Sequence, residues 1–476
     1  MGINRRKKIA VLGCNMMHRE YGRNMLKGMI SCADENDYDL YIFKPQFNSN
    51  RAVLNTKGEM ALFDVANLKA FDGIAFFGSV IYDEEVRRTL IDRILESGVP
   101  TVSVDDTIPG MHFVGGENVN SMFELVSHII KVHGAKTFAF VAGEPDNVDS
   151  KERMLGFQLA LEDNGLSYDE CTDFYYGDFL KHHGVRTGEK IASKPLPDAV
   201  ICANDWIAQG VLLSFQNHGI RVPEDVILTG FDYDIDGRNS VPRITSVNRN
   251  VEKTGRLVIN TLNEIMYGRD PGEVRTECTP VFMESCGCSC SVDNDITVLR
   301  KTYSYERNMT VDLSIASMEM MSDLSEQKNL ISFITHLKNH VKMLGCRGFY
   351  FCMPEDLIAS LESGFDGYTF SSELPERMVP VLAYENEDFI DLPSFLTENM
   401  IPKVYEQEGL SHVFEFYPLH IKDYFTGYII VDRCSFTENE IMSDVYMKEI
   451  NTALDLLIKH NRLTRALYRL NDKSEM

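Results

Sequence analysis

The chain has 476 residues, 44% hydrophobic and 25% charged, the composition of an ordinary globular protein with room for two or three domains. Its 47 Lys and Arg against 71 Asp and Glu leave a formal charge of −24, which repels phosphate backbones and excludes an obvious DNA-binding face. No apolar run is long enough to span a bilayer, and the apolar stretch after Arg5-Arg6-Lys7-Lys8 is too short for a signal-peptide core. The eleven scattered cysteines suit reduced thiols, so the expected location is cytoplasmic.

The first half alternates strands and helices. The patterning predicts a buried strand over Ile9–Gly13, a helix over Tyr21–Glu35, strands over Tyr38–Phe43 and Gly73–Gly78, and a helix over Glu84–Ser97. A strand over Thr101–Val104 ends at Asp105-Asp106, and Phe113-Val114-Gly115 precedes a helix over Val119–Val132. A strand over Thr137–Ala142 and a helix over Lys151–Asn164 follow. An apolar strand from Ala199 then ends at Asn204-Asp205, an amphipathic helix and the turn Arg221–Asp225 come next, and Val226–Thr229 runs into Gly230-Phe231-Asp232. Near-continuous apolar strands with helices between them mean a parallel α/β sheet covered on both faces. Crossings near residues 116 and 245 would divide it into two. Polar side chains just past the carboxyl ends of such strands lie where open sheets collect ligands.

The composition breaks at Glu284–Cys290, and 286–301 reads as a linker. Beyond it, Thr302–Met321 and Lys328–Lys342 have helical periodicity, Gly348–Cys352 is a strand, and Met353–Leu410 is a loop-rich middle. A hairpin pairs Val413–Leu419 with Thr426–Val431, with Asp423–Gly427 around its turn. A long helix starts near Glu438. In it Leu456, His460, Leu463, Leu467 and Leu470 are spaced 4, 3, 4, 3, a short heptad seam. Such a seam either packs on its own domain or forms a parallel dimer stalk. The α+β layout over 302–437 resembles a GAF-like regulatory domain, with 438–476 as a signalling helix.

The segment Ile201–Asp232 resembles the sugar- and purine-sensing core of the LacI/GalR family, within the periplasmic-binding-protein-like superfamily. Ser150–Phe157 matches the S-x-x-R-x-x-G-F pattern of that family. The resemblance implies two lobes over residues 8–285, hinged to close on a ligand. It places Tyr21 as an aromatic cover and Arg153 as a guanidinium fork for hydroxyls or a carboxylate. It also makes Phe179 a second stacking face and Asp232 a ligand-binding carboxylate. Asn147 and Asp149 can reach the same cleft from the preceding loop. Asn204 can both donate and accept, while Asp205 is expected to cap the next helix, and Gly156 and Phe157 to pack. An unpaired arginine at Arg153 would be hard to explain structurally. Repressors of the family begin with a helix-turn-helix. Here the first sheet strand starts at Ile9, so direct DNA binding by this chain is not expected.

No metal or cofactor is expected. Asp232, Asp234 and Asp236 alternate, but the EF-hand glycine and distal glutamate are missing. Cys286, Cys288 and Cys290 form C-x-C-x-C, without the paired spacing of structural zinc or a histidine close in sequence, and read as reduced thiols in a boundary turn. A cluster contributed by two chains is the alternative. His412 and His420 have no nucleophile motif beside them, and no phosphate loop or dinucleotide fingerprint occurs. The expectation is a cytoplasmic, non-enzymatic sensor of transcription-regulator descent. It would bind a sugar or nucleoside-like metabolite, act as a homodimer through the C-terminal helix, and involve no membrane. The alternatives are the sensory half of a diguanylate cyclase (GGDEF) protein and a transport-type solute-binding protein.

Overall fold

The computed structural model describes residues 5–13, 20–45, 56–81, 83–168, 172–289, 311, 314–363, 369–371, 373–403, 411–434 and 440–474. The first half runs β1 (Lys7–Leu12), α1 (Glu20–Glu35), β2 (Tyr38–Phe43), α2 (Thr56–Val65), β3 (Gly73–Phe76), α3 (Glu84–Ser97), β4 (Thr101–Val104) and β5 (His112–Gly116). It continues α4 (Asn118–His133), β6 (Phe138–Val141), α5 (Val148–Asp163), β7 (Thr172–Tyr175), α6 (Lys181–Ala192), β8 (Ala199–Cys202) and α7 (Asp205–Asn217). Then come β9 (Ile227–Thr229), α8 (Ile235–Asn239), β10 (Ser246–Asn248), α9 (Val251–Met266), β11 (Val274–Thr276) and β12 (Thr279–Val281).

These strands form two parallel sheets. The first lobe has the order β11-β5-β4-β3-β1-β2 and the second β7-β6-β8-β9, with β10 and β12 paired antiparallel. Each sheet has a buried apolar cluster on both faces, as near-continuous apolar strands require. The chain crosses between lobes after β5, after β10 and again between β11 and β12. The third crossing is absent from the sequence reading, because β11 and β12 are three residues each and Pro280 disguises the latter. In the first lobe α1 and α9 pack backbone to backbone through Gly28 and Gly255. A Cβ on Gly28 would come within 2.0 Å of the Glu252 carbonyl oxygen.

The second half shares the first sheet. Its strands are β13 (Cys346–Pro354), β14 (Arg377–Glu385), β15 (Asp388–Ile390), β16 (Phe395–Leu396), β17 (Val413–Ile421) and β18 (Tyr424–Cys434). The order continues β2-β17-β18-β13-β14-β15, with β2 and β17 parallel and every later pairing antiparallel. Strand β2, which would be an open edge in the first lobe alone, is buried throughout. Phe43 stacks on Phe416 with centroids 4.6 Å apart, and Tyr41 meets Phe414 at 5.1 Å. On the other face of the antiparallel strands, a helix over 314–325, α10 (Leu330–Val341), α11 (Glu355–Ser363) and the long α12 (Glu440–Ser474) cover a second core.

Three local expectations are corrected. The loop-rich middle contains α11, β14, β15 and β16. Pro380 hid β14, and it sits where the β13 register shifts at a bulge. The hairpin turns at Lys422-Asp423, with Lys422 at φ +53°, and Gly427 lies inside β18 opposite a register shift. Helix α5 starts at Val148 because Asn147 accepts a hydrogen bond from the Ser150 N–H at 3.0 Å. Most of the expected linker, Cys290 included, lies outside the described residues. His412 and His420 belong to the junction between the halves. The His412 ring nitrogen Nδ1 lies 2.8 Å from Asp432, and His420 Nε2 lies 3.4 Å from Glu59 of α2.

Candidate functional site

Arg249, at the second crossing, organises the face between the lobes. Its guanidinium lies 3.0 Å from Asp105, 3.2 Å from Asp149 and 3.7 Å from Asp232, and 5.1 Å from the Tyr21 ring centroid. Tyr21 and Asp105 come from the first lobe, Asp149 and Asp232 from the second, so one hinge cation joins both. The Tyr21 hydroxyl donates to Asp105. Arg153, only 1% exposed, adds a second cation from α5. It donates to Asn118 Oδ1 at 3.2 Å, the Ala203 carbonyl at 2.6 Å and Asp149 at 3.0 Å, and pairs with Asp232 at 3.2 Å. Phe231 lies under its guanidinium at 4.0 Å. Arg153 is therefore fully engaged within the protein, against the expectation of an unpaired cation.

The electrostatics follow from burial. Burial pushes the Asp105 carboxyl up against the pull of Arg249, and pushes the Tyr21 phenol well up, with the Asp105 charge adding to it. Burial alone would raise Asp149, but Arg249, Arg153 and the Asn118 amide together hold it below the usual carboxylate value. The buried acidic partners raise Arg249 further, outweighing desolvation. Near the mouth, the Ile235 N–H donates to Glu20 at 2.7 Å and Arg238 pairs with the same carboxylate, so the lobes also touch there.

The structure thus brings Tyr21, Asp149, Arg153 and Asp232 into one network and places the other expected residues around it. Asn204 is the cap of α7, accepting from the Ile207 N–H at 2.9 Å and donating to the Phe179 carbonyl at 3.1 Å. Phe179, at φ +59°, packs its ring on Gly143. Asn147 caps α5. The expectation that Asp205 caps α7 is corrected: it is the first helical residue, buried, accepting from the Asp234 N–H and the Ser246 hydroxyl, both at 2.7 Å. Sequence reasoning missed Arg249, Asp105 and Asn118 as members. The Asp105-Asp106 pair at a strand end was a visible signal, whereas nothing in the S-V-N-R-N run marks Arg249 as buried.

Asp205 gives a pH prediction. Burial, then the neighbouring Asp234 and Asp232 charges, push its carboxyl well above 3.8. The folded protein then holds a proton that the unfolded chain releases, so this group's contribution to stability falls as pH rises from the ordinary carboxylate range toward the folded value. Asn keeps an acceptor and cannot ionise. Asp205→Asn is expected to match the wild type near ~pH 4 and exceed it near ~pH 8. Urea unfolding across that range measures this, and parallel profiles would contradict it.

The boundary turn also departs from expectation. Cys286 and Cys288 do not stand apart from histidine, because His128 and His133 of α4 meet them in space.

The two parallel sheets, joined by crossings that meet at Arg249, form a two-lobed α/β fold of the periplasmic-binding-protein-like kind. Residues 127–286 match the model of the periplasmic binding protein-like domain. The chain is similar to the HTH-type transcriptional regulator DegA of Bacillus subtilis, 24% identical over 253 residues, 53% of this chain and 72% of that protein. It is 32% identical to the HTH-type transcriptional regulator CelR of Thermobifida fusca over 164 residues, 34% of this chain and 48% of that regulator. Catabolite control protein A of Staphylococcus xylosus is 28% identical over 217 residues, 45% of this chain and 64% of its own length. The chain therefore spans between about half and three quarters of these relatives. Among solved structures, a CelR–cellobiose complex superposes with a TM-score of 0.50 at 24% identity, covering 59% of this chain and 85% of that one. A lac repressor dimer bound to operator and the anti-inducer ONPF gives 0.50 at 16% identity, over 59% and 94%. These structures share the fold. No helix among the described residues is long and apolar enough to cross a membrane.

Proposed function

We propose that this protein is a non-enzymatic sensor of transcription-regulator descent that binds a small neutral, hydroxyl-rich metabolite, a sugar or nucleoside, between its lobes. The observation that carries this is the Arg249 network, in which groups from both lobes meet at a hinge. Two guanidinium groups face three carboxylates there, so the described residues offer no surplus positive charge for an anion, while charged donors and acceptors alternate as a polyol requires. Tyr21 at the first-lobe edge supplies the aromatic cover. Asp232, the most exposed of the three carboxylates at 28%, is the ligand contact, and Arg153 holds it from behind. A thermal-shift panel of neutral sugars (cellobiose included), nucleosides and their phosphorylated counterparts tests this. A ligand at 100 times its Kd should stabilise by about 2.7 kcal/mol. Binding by the phosphorylated compounds alone would overturn the reading.

A GAF-like reading of the second half is supported by its antiparallel strands and the core that the helix over 314–325, α10, α11 and α12 build on one face of them. Sharing a sheet with the first lobe, this half would move with that lobe while the second lobe closes, a geometry suited to relaying occupancy toward α12. In α12, Ala453, Leu454, Leu457 and Ile458 pack on the domain, whereas Leu456, Leu463 and Leu467 are 44%, 62% and 54% exposed. That seam supports a parallel homodimer stalk. Sedimentation equilibrium should find a wild-type dimer and a Leu463→Glu monomer, and a monomeric wild type would reject the stalk. Among the described residues seven cysteines stand outside any disulfide, which supports a reducing, cytoplasmic setting.

A further inference from the structure

The turn that leaves the second lobe carries a constellation that ligand binding does not use. After β12, Glu284–Cys286 form one helical turn, and Gly287, at φ +93°, reverses the chain so that Cys286 and Cys288 face the C-terminal end of α4. His128 and His133 project from that helix end. Their Nε2 atoms are 3.2 Å apart, and Cys288 Sγ lies 3.4 Å from each. Cys286 Sγ completes a group whose four donor atoms all lie within 4.8 Å of one another. The His128 ring stacks on Phe282 with centroids 3.6 Å apart, which fixes its orientation from the strand that leads into the turn.

These separations are those of a coordination shell. Four donors in a tetrahedron, with metal–nitrogen bonds near 2.0–2.1 Å and metal–sulfur bonds near 2.3 Å, stand roughly 3.3 Å apart for two nitrogens and roughly 3.6 Å for nitrogen and sulfur. Without an ion, two neutral imidazoles and the Cys288 thiol can share at most two hydrogen bonds across their three contacts, while Cys286 Sγ donates to the Met283 carbonyl at 3.2 Å. Two thiols with two imidazoles favour a borderline-soft ion over magnesium or calcium, and four protein donors leave no open position for catalysis. We propose that His128, His133, Cys286 and Cys288 form a structural zinc site that staples the exit of the two-lobed domain to the end of α4. The staple ties the chain leading out of the second lobe to the lobe itself, so movement of that lobe is carried into the following segment without slack.

Elemental analysis of the untagged full-length protein should find one zinc per chain. Cobalt substitution of the same protein should give thiolate-to-metal charge transfer and the intense visible bands of a four-coordinate ion. Cys288→Ser and His133→Ala should each lower zinc affinity, read by competition with a chromophoric chelator, by more than the ~100-fold that loss of an outer-shell partner costs. Substoichiometric metal, a six-coordinate cobalt spectrum, or unchanged affinity in either variant would overturn the proposal. Should a variant fail to fold, stoichiometry and the cobalt spectrum of the wild-type protein decide it alone.

Discussion

Arg153→Ala is expected to lower the stability of the two-lobed domain by about 3–5 kcal/mol and to abolish the thermal shift given by any ligand the wild type binds. The guanidinium is 1% exposed and stands between Asp149 and Asp232 at 3.0 and 3.2 Å. Removing it leaves two carboxylates sharing Arg249, which already serves Asp105. It also strips the Asn118 side-chain oxygen and the Ala203 carbonyl of a donor in a buried setting. Loss of ligand response alone would not separate a binding role from a collapsed site, so Asp232→Asn is the companion. Asp232 is the most exposed of these carboxylates, and its amide keeps the size and one acceptor. That variant is expected to stay within ~1 kcal/mol of wild type and to lose roughly 10–100-fold in affinity, the worth of one hydrogen bond to a charged group. Isothermal titration and denaturant melts of both variants read the two effects separately. An undiminished affinity in Asp232→Asn would remove the cleft reading, whatever Arg153→Ala does to stability.

The elements of the first half were legible because parallel strands buried on both faces read as apolar runs, and Tyr38–Phe43, Glu84–Ser97 and Thr101–Val104 begin and end where the sequence puts them. Its site was legible only in part. Arg153, Asp149, Asp232 and Tyr21 follow a strand end, a motif or a helix start, all local features. Arg249 does not: its burial comes from three acids brought together by two lobes and a hinge. The capping roles of Asn147 and Asn204 show the converse limit, since a polar residue beyond a strand reads equally as ligand donor or helix cap until the Ser150 and Ile207 amides are placed. The His–Cys cluster spans residues 128 to 288 and is invisible to any spacing rule. The shared sheet was equally hidden, because an edge strand and a central strand differ only in what lies alongside.

That shared sheet makes its own demand. Where β2 meets β17, Lys44 Nζ lies 2.8 Å from Glu415 and 3.1 Å from the Tyr417 hydroxyl, and the Lys44 and Glu415 side chains are 6% and 3% exposed. A buried pair adds little net stability over apolar residues of its size, but breaking it strands a charge. Glu415→Ala should therefore cost about 3–5 kcal/mol, while Lys44→Met combined with Glu415→Leu should recover most of that loss. The signature of the junction lies in the shape of the melt. With β2 and β17 in one sheet and Phe43 stacked on Phe416, the wild type should unfold its first lobe and its second half together. Glu415→Ala should split that transition in scanning calorimetry, with the second half melting first, and the double variant should restore one peak. A ligand bound between the lobes should then shift the whole wild-type transition but only the upper peak of Glu415→Ala. If the second half melts independently in the wild type, or Glu415→Ala behaves as wild type, the two halves are not one sheet in solution, and relay from cleft to α12 must run through the exit of the second lobe.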